Sequence, residues 1–311
     1  MASLLRSAAA QTLLPANICW GTSVMAAPKI LVQLDPDPQP SVFDSVVAVD
    51  SGVDHLFRHG GVTPETVQGL VHGAIFTRGM DDLKRTAIFV GGSNVTAGEA
   101  LLSAVTKSFF GPMRVSVMMD ANGANTTAAA AVLAAGKEVK LKGATALVLG
   151  GTGPVGQRVA HLLAAEGAVV RVGSRSTDRA QVVCQTVGER VEGAKLTAYA
   201  TGSVEETAQA LADAQVVIAA GAAGVELVSE DLRRRAEALQ VAIDLNAVPP
   251  VGLGGIEVHD KGTDRDGVKC YGAIGVGGRK MKIHRAALKR LFEANDLVLD
   301  AEAIYEIGRK L

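Results

Sequence analysis

An apolar, β-branched run from Thr145 to Gly150 leads into Gly151-Thr152-Gly153-Pro154-Val155-Gly156, and a stretch of helical periodicity, Pro154 to Glu166, starts inside that hexapeptide. A G-x-G-x-x-G pattern is weak alone; where it closes a strand and opens a helix it marks a dinucleotide-binding turn. Gly151 permits the tight turn, Gly153 lets backbone approach a pyrophosphate, and Gly156 lets helix and strand pack closely. Thr152, Pro154 and Val155 complete the loop and the first helical amides that face the phosphates. The alternation then repeats: strand Ala168–Gly173, helix Asp178–Val191, strand Leu196–Ala200, helix Val204–Ala212, strand Val216–Ala220, a helix near Ser229–Leu239 and strand Val241–Leu245. Repeated strand–helix units predict an α/β fold with a Rossmann-type, doubly wound parallel sheet.

The end of the second strand of this unit selects the cofactor. An NAD site places a carboxylate there to accept the ribose hydroxyls. Here the chain reads Gly173-Ser174-Arg175-Ser176. Arg175 can pair bidentately with a 2′-phosphate, and Ser174 or Ser176 can donate a hydrogen bond to it. NADP is therefore expected; Arg179 reads as a solvated helix residue. Ala220-Gly221 and Asn246 follow later strands at the carboxyl edge where open α/β sheets bind ligands. Asn246 either faces the nicotinamide ribose or carboxamide, or forms a turn.

The first half carries its own short apolar runs, Ile30–Leu34, Val46–Val49, Thr86–Gly91 and Val115–Met119, read as buried parallel strands. Helical stretches Ser41–Val46, Thr63–His72 and Thr96–Phe109 lie between them. Thr63-Pro64 offers an N-cap with proline at the first helical position, and Thr96 with Glu99 forms a capping-box pattern. A polar hinge, Asp120 to Thr127, precedes an alanine-rich helix running to about Gly136; helices His284–Glu293 and Ala301–Leu311 close the chain. The expected organisation is a smaller α/β substrate domain over 26–126 and the NADP-binding domain over 127–294, with 295–311 packing back on the first. Residues 1–25, with Arg6 as their one basic residue and no acidic one, read as an extension outside the fold, with translation starting at Met25.

Composition excludes several classes. With 31 basic and 32 acidic residues there is no electrostatic footprint for nucleic acid or anionic lipid. No apolar run reaches the roughly 18 to 20 residues of a membrane helix. Three widely spaced cysteines, Cys19, Cys184 and Cys270, support neither a disulfide framework nor a metal site. His55 and His59 lack the intervening glutamate of a zincin helix and read as surface or turn residues, so no metal is expected. The chain reads as a cytoplasmic protein of a reducing compartment. Glycine is the excess: 35 of 311 residues, against a usual share near 7%, clustered after strand-like runs.

Five segments are more specific than the glycine turn. Asp120 to Ala130 (DANGANTTAAA), Leu245 to Glu257 (LNAVPPVGLGGIE), Ala273 to Arg285 (AIGVGGRKMKIHR) and, in the first half, Pro40 to Asp44 (PSVFD) with Ile75 to Gly79 (IFTRG) resemble the NADP-dependent methylenetetrahydromethanopterin dehydrogenases of C1-metabolising bacteria. The resemblance covers nearly everything from Lys29 to Leu311. It implies hydride removal from a methylene carbon bridging two nitrogens of a reduced pterin, with methylenetetrahydrofolate as the alternative substrate. It also implies a homo-oligomer, expected as a trimer. The position matching Lys280 lies at the active site in the family; a cation there opposes a carbon turning positive, so Lys280 is expected to anchor a pterin carbonyl or orient the substrate and not to act as a base. Asp44, Asp120, Asn122 and Thr126 are the first-half candidates for the pterin edge, with helix capping the alternative for Asp44 and Asp120. Two rivals remain: an NADP-dependent dehydrogenase of another small substrate, such as shikimate, and a sensor that binds NADP without chemistry.

Overall fold

The computed structural model describes residues 26–311; the reading of residues 1–25, with Cys19, lies outside them. Two parallel-rich sheets are joined by one long buried helix. The first half contains β1 (Ile30–Leu34), α1 (Val42–Asp50), β2 (His55–His59), α2 (Val67–Ile75), β3 (Thr86–Val90), α3 (Val95–Lys107) and β4 (Ser116–Met119). The linking helix α4 (Ala124–Glu138) leads to β5 (Thr145–Leu149), α5 (Pro154–Ala165), β6 (Val169–Ser174), α6 (Thr177–Arg190), β7 (Lys195–Ala200), α7 (Val204–Leu211), β8 (Val216–Ala219), α8 (Glu230–Arg234) and β9 (Val241–Asp244). A hairpin, β10 (Lys261–Arg265) and β11 (Val268–Tyr271), precedes α9 (Ala273–Arg290), β12 (Val298–Leu299) and α10 (Ala301–Arg309).

The first sheet runs β12-β4-β3-β1-β2, all parallel. The second runs β7-β6-β5-β8-β9-β11-β10, parallel except for the β10–β11 pair. That is the doubly wound order, with the crossover point beside β5. β3, β4, β5, β8 and β9 are buried almost throughout, as strands covered on both faces must be. The alanines of α4 from Ala128 to Ala131, with Ala134 and Ala135, are buried between layers. Short side chains let α5, α9 and α10 all pack on this one helix. The chain end returns to the first sheet through β12, which pairs with β4, while α10 lies on α4, α9 and α5.

Several local expectations are corrected. Val46–Val49 is not a strand but the second half of α1, whose N-cap Ser41 accepts the Asp44 amide at 3.2 Å. Four apolar residues satisfy either periodicity, and the cap decides. The missing strand is His55–His59, an exposed edge paired with β1. Residues 63–66 form a turn, and α2 starts at Val67. Asn94 caps α3 by accepting the Ala97 amide at 3.0 Å, so Thr96 lies inside the helix and Glu99 is released to pair with Arg158 at 2.8 Å. The helix expected near Ser229–Leu239 shrinks to α8. The hairpin was unforeseen; its turn, Asp266-Gly267, has φ of 58° and 83°, the two left-handed residues of a type I′ turn. Helix α9 begins eleven residues before His284, at Ala273. Glycine there serves packing: a Cβ on Gly275 would stand 1.7 Å from the Asp260 carbonyl oxygen.

Candidate active site

The glycine turn has the geometry a pyrophosphate cradle needs. A Cβ on Gly156 would lie 2.3 Å from the Gly150 carbonyl oxygen, and one on Gly151 would lie 2.7 Å from Val172 Cγ1, so neither position admits a side chain. Gly153 is different: its Cβ would meet nothing closer than 3.3 Å. It is the N-cap of α5, with Pro154 at the first helical position, so the first free amides of the helix lie just beyond it. Gly150 and Gly221 face each other across the ends of β5 and β8, where a Cβ on Gly150 would be 2.6 Å from the Gly221 Cα, with Ala220 alongside. Val155 packs against the cores of both sheets, which puts the cofactor turn at their junction.

At the end of β6, Ser174 is buried, its hydroxyl 3.5 Å from that of Thr152 and accepting the Ser176 amide at 3.2 Å. Ser176 is the N-cap of α6, accepting the Arg179 amide. Arg175 is exposed and takes part in no ion pair among the described residues. A free guanidinium with no carboxylate at the strand end suits a 2′-phosphate. Asn246 is held by its own loop: its amide nitrogen donates to the Pro250 carbonyl at 3.1 Å and its oxygen accepts the Val248 amide at 2.9 Å. Its side chain holds the turn, using its oxygen and one of its two N–H donors within its own loop. The buried Asp244 fastens the same loop by accepting the amides of Asn246 and Leu253.

A second set of side chains gathers at the carboxyl edge of the first sheet. Asp120 follows β4 and is 1% exposed; both oxygens accept from Thr126, the amide at 3.0 Å and the hydroxyl at 2.6 Å. Thr126 is itself fully buried, as is the Asp120 carboxylate that it holds. Asn122 and Gly123 turn the chain in succession with φ of 52° and 59°, a left-handed pair that starts α4 and leaves the Asn122 side chain exposed. Asp44, in the first turn of α1, and Asp35, at the end of β1, close the set: a Cβ on Gly91 would stand 3.3 Å from Asp35 Oδ2 and 3.5 Å from Asp44 Oδ2. From the second unit, α9 delivers Lys280. A Cβ on Gly123 would lie 2.4 Å from its Nζ, which also stands 5.5 Å from the centre of the Phe43 ring.

Burial dominates the electrostatics here. It pushes the Asp44 carboxyl up to about 6, against the opposing pull of the Ser41 hydrogen bond and the Lys280 charge, with Asp35 pushing further up. Asp120 is also pushed up to about 6 by burial, moderated by Thr126 and Lys280. Buried Asp35 is raised for the same reason. Three carboxyl groups raised by burial thus gather near one lysine, the pattern of a candidate functional site. Sequence reasoning missed Asp35, Phe43, Gly91, Gly123 and the buried His284. Only Asp35 left a local signal, as the polar residue ending β1. Among the described residues no cluster of three or more His, Cys, Asp or Glu side chains is arranged to hold a metal, and no helix is long and apolar enough to cross a membrane.

Comparisons with known proteins follow this geometry. Residues 42–122 match the family model described as methylene-tetrahydromethanopterin dehydrogenase, N-terminal, and residues 146–228 match the saccharopine dehydrogenase NADP binding domain. The chain is 46% identical over 287 residues to the bifunctional protein MdtA of Methylorubrum extorquens, across 91% of this chain and 99% of that one. It is 33% identical over 292 residues to the NAD(P)-dependent methylenetetrahydromethanopterin dehydrogenase of the same organism, across 91% and 98%. Among solved structures, shikimate 5-dehydrogenase of Listeria monocytogenes, in complex with shikimate and NAD, shares the fold with a TM-score of 0.51 at 14% identity, covering 90% of this chain and 96% of that one.

Proposed function

The chain belongs to the methylenetetrahydromethanopterin dehydrogenase family, and from that premise we propose that it oxidises methylenetetrahydromethanopterin to methenyltetrahydromethanopterin by direct hydride transfer to NADP, in C1 (formaldehyde) metabolism. One observation carries the reading: Lys280, from the cofactor unit, is lodged against Gly123 of the other unit, near enough for its charge to act on both desolvated carboxylates, Asp44 and Asp120.

Hydride departure leaves a positive charge spread over the two nitrogens that flank the methylene carbon. When bound, NADP supplies the nicotinamide carbon that accepts the hydride. No hydroxyl proton has to leave, so the site needs no strong base. What it needs is alignment of two rings and a field that favours the cation. Asp44 and Asp120 provide the field, because carboxylates in a half-dry cleft act far more strongly than in bulk water. Asp44, the less buried of the two, is also the acceptor on offer for the adjacent N–H donors of the aminopyrimidinone edge. Lys280 alone would oppose the developing charge; flanked by two carboxylates, its charge is offset, and its remaining N–H groups are free to hold a pterin carbonyl. Thr126 keeps Asp120 in place, and Asn122 stands exposed at the rim. On the cofactor side, the Gly151–Gly156 turn and the α5 amides bind the pyrophosphate, while Arg175 takes the 2′-phosphate. The reading further takes the protein as cytoplasmic and as a homo-oligomer, with a trimer expected, which mass photometry would count.

The test is NADP reduction followed spectrophotometrically with methylenetetrahydromethanopterin and with methylenetetrahydrofolate, each repeated with NAD. The expected result is the highest kcat/KM for methylenetetrahydromethanopterin with NADP. Reduction with the folate alone would move the assignment to a methylenetetrahydrofolate dehydrogenase using the same site. Tight NADP binding with no turnover of either pterin would make the chain a nucleotide sensor.

A further inference from the structure

His284 is 1% exposed, and neither of its ring nitrogens has a hydrogen-bond partner. It lies one helical turn beyond Lys280 on α9, so the two side chains share a face. Its ring stacks on Phe89 with centroids 5.8 Å apart and planes 19° from parallel, and the tilted Phe43 ring lies 6.4 Å away. Nδ1 stands 3.9 Å from Asp120 Oδ2, too far for a hydrogen bond. A leucine or phenylalanine would fill this apolar slot without stranding two polar atoms. Orphaned buried nitrogens are unfavourable, so each calls for an explanation.

The groups facing the imidazole explain what it is suited to do. Lys280 is the charged neighbour on its own helix, Asp120 faces it from the end of β4, and Asp44 belongs to the same cluster from α1; Phe43 and Phe89 are uncharged. Burial first, and the Lys280 charge second, press the imidazole down to about 4, so it is neutral at working pH, with one donor and one acceptor. A neutral ring can support a carboxylate without adding a second cation beside the carbon that turns positive. Catalytic hydrogen bonds are often long before ligands bind and tighten in the reactive complex.

We propose that His284 is a positioning residue of the hydride-transfer site, whose uncharged Nδ1–H closes onto Asp120 Oδ2 when the pterin binds and holds that buried carboxylate in place and ionised. This rests on the reading of the cleft as a methylene-pterin oxidising site. The experiment compares the full-length wild type with His284→Phe and His284→Gln. In His284→Phe, kcat falls about ten- to a hundredfold, the worth of one hydrogen bond to a charged group, while NADP affinity is unchanged and the thermal midpoint is equal or higher. The acid limb of the kcat–pH profile moves up, because Asp120 has lost a donor that favours its ionised form. His284→Gln, which keeps a donor, recovers part of the loss. Wild-type kcat in His284→Phe would overturn the proposal, as would a loss that tracks a lowered thermal midpoint and is not rescued by glutamine. An independent readout is the ¹⁵N shift of His284 Nδ1, which moves on pterin binding if the contact closes and stays fixed if it does not. Should the wild type fail to turn over any pterin, the parent reading fails, and the ¹⁵N shift alone decides the role of His284.

Discussion

The Lys280 ammonium occupies the space where a side chain at Gly123 would begin: a Cβ there would be 2.4 Å from Nζ and 3.0 Å from Cε. Gly123 is also left-handed, with φ of 59°. The turn after Asp120 in one unit is thus shaped to receive a lysine from the other. Gly123→Ala displaces Lys280 and adds about 1–2 kcal/mol of backbone strain. Its expected signature is a fall in kcat larger than its modest drop in thermal midpoint accounts for; unchanged kcat would separate the glycine from the chemistry.

Lys280→Ala leaves the glycine turn and Arg175 untouched. Turnover is expected to fall about a hundredfold, the scale of losing substrate alignment, with NADP affinity retained. Steady-state kinetics paired with a fluorescence titration of NADP separates the two, and equal loss of both would contradict the role given to Lys280.

Asp120 trades stability for function. Its carboxyl is raised from 3.8 to about 6 in the folded protein, so the folded chain holds that proton more tightly than the unfolded chain does. The resulting stabilisation is present at low pH and lost as pH rises through about 6. Asp120→Asn, which can still accept the Thr126 amide, is expected to melt higher than wild type at neutral pH, with the gap closing toward pH 4, while turnover collapses. Matched melting curves at the two pH values check the sign.

The same ionisations set the pH dependence of the reaction. Asp44 and Asp120 both charge near 6. As they must be ionised to favour the cation, kcat is expected to fall on the acid side with an apparent midpoint near 6 and to be flat above it. Because both carboxylates must be ionised, the limb is expected to fall more steeply than that of one group. Full activity at pH 5 would remove the carboxylates from the account.

Cofactor choice rests on a few atoms at the end of β6. Arg175→Ala is expected to lower kcat/KM for NADP about ten- to a hundredfold, the cost of charge-assisted hydrogen bonds, with little effect on NAD. Ser174→Asp installs the carboxylate that accepts ribose hydroxyls and repels the phosphate, reversing the preference. Initial rates with both nucleotides measure it.

The cofactor half was readable because local signals there coincide: a buried strand, a glycine turn and a helix start fall within Thr145–Ala165, and each constrains the same backbone. The first half was harder. Val46–Val49 fits strand and helix equally, and His55–His59 alternates without a buried face because it is an edge. Asp266-Gly267 carries a local hairpin signal, whereas Gly275 of α9 serves a contact with Asp260 that no local pattern shows. Asp44, Asp120 and Lys280 were singled out with the family resemblance in hand, and their convergence became visible only in three dimensions. Asp35 and His284 depend on which strand ends lie side by side and on what covers them, information that no window of sequence contains.

The central claim is that one hydride passes directly from the pterin methylene carbon to the nicotinamide, with the protein aligning the rings and balancing charge. The most direct measurement uses methylenetetrahydromethanopterin deuterated at the methylene carbon and mass analysis of the reduced cofactor. The account requires one deuterium in each NADPH formed and none exchanged into solvent. Unlabelled NADPH, or deuterium recovered in water, would contradict it.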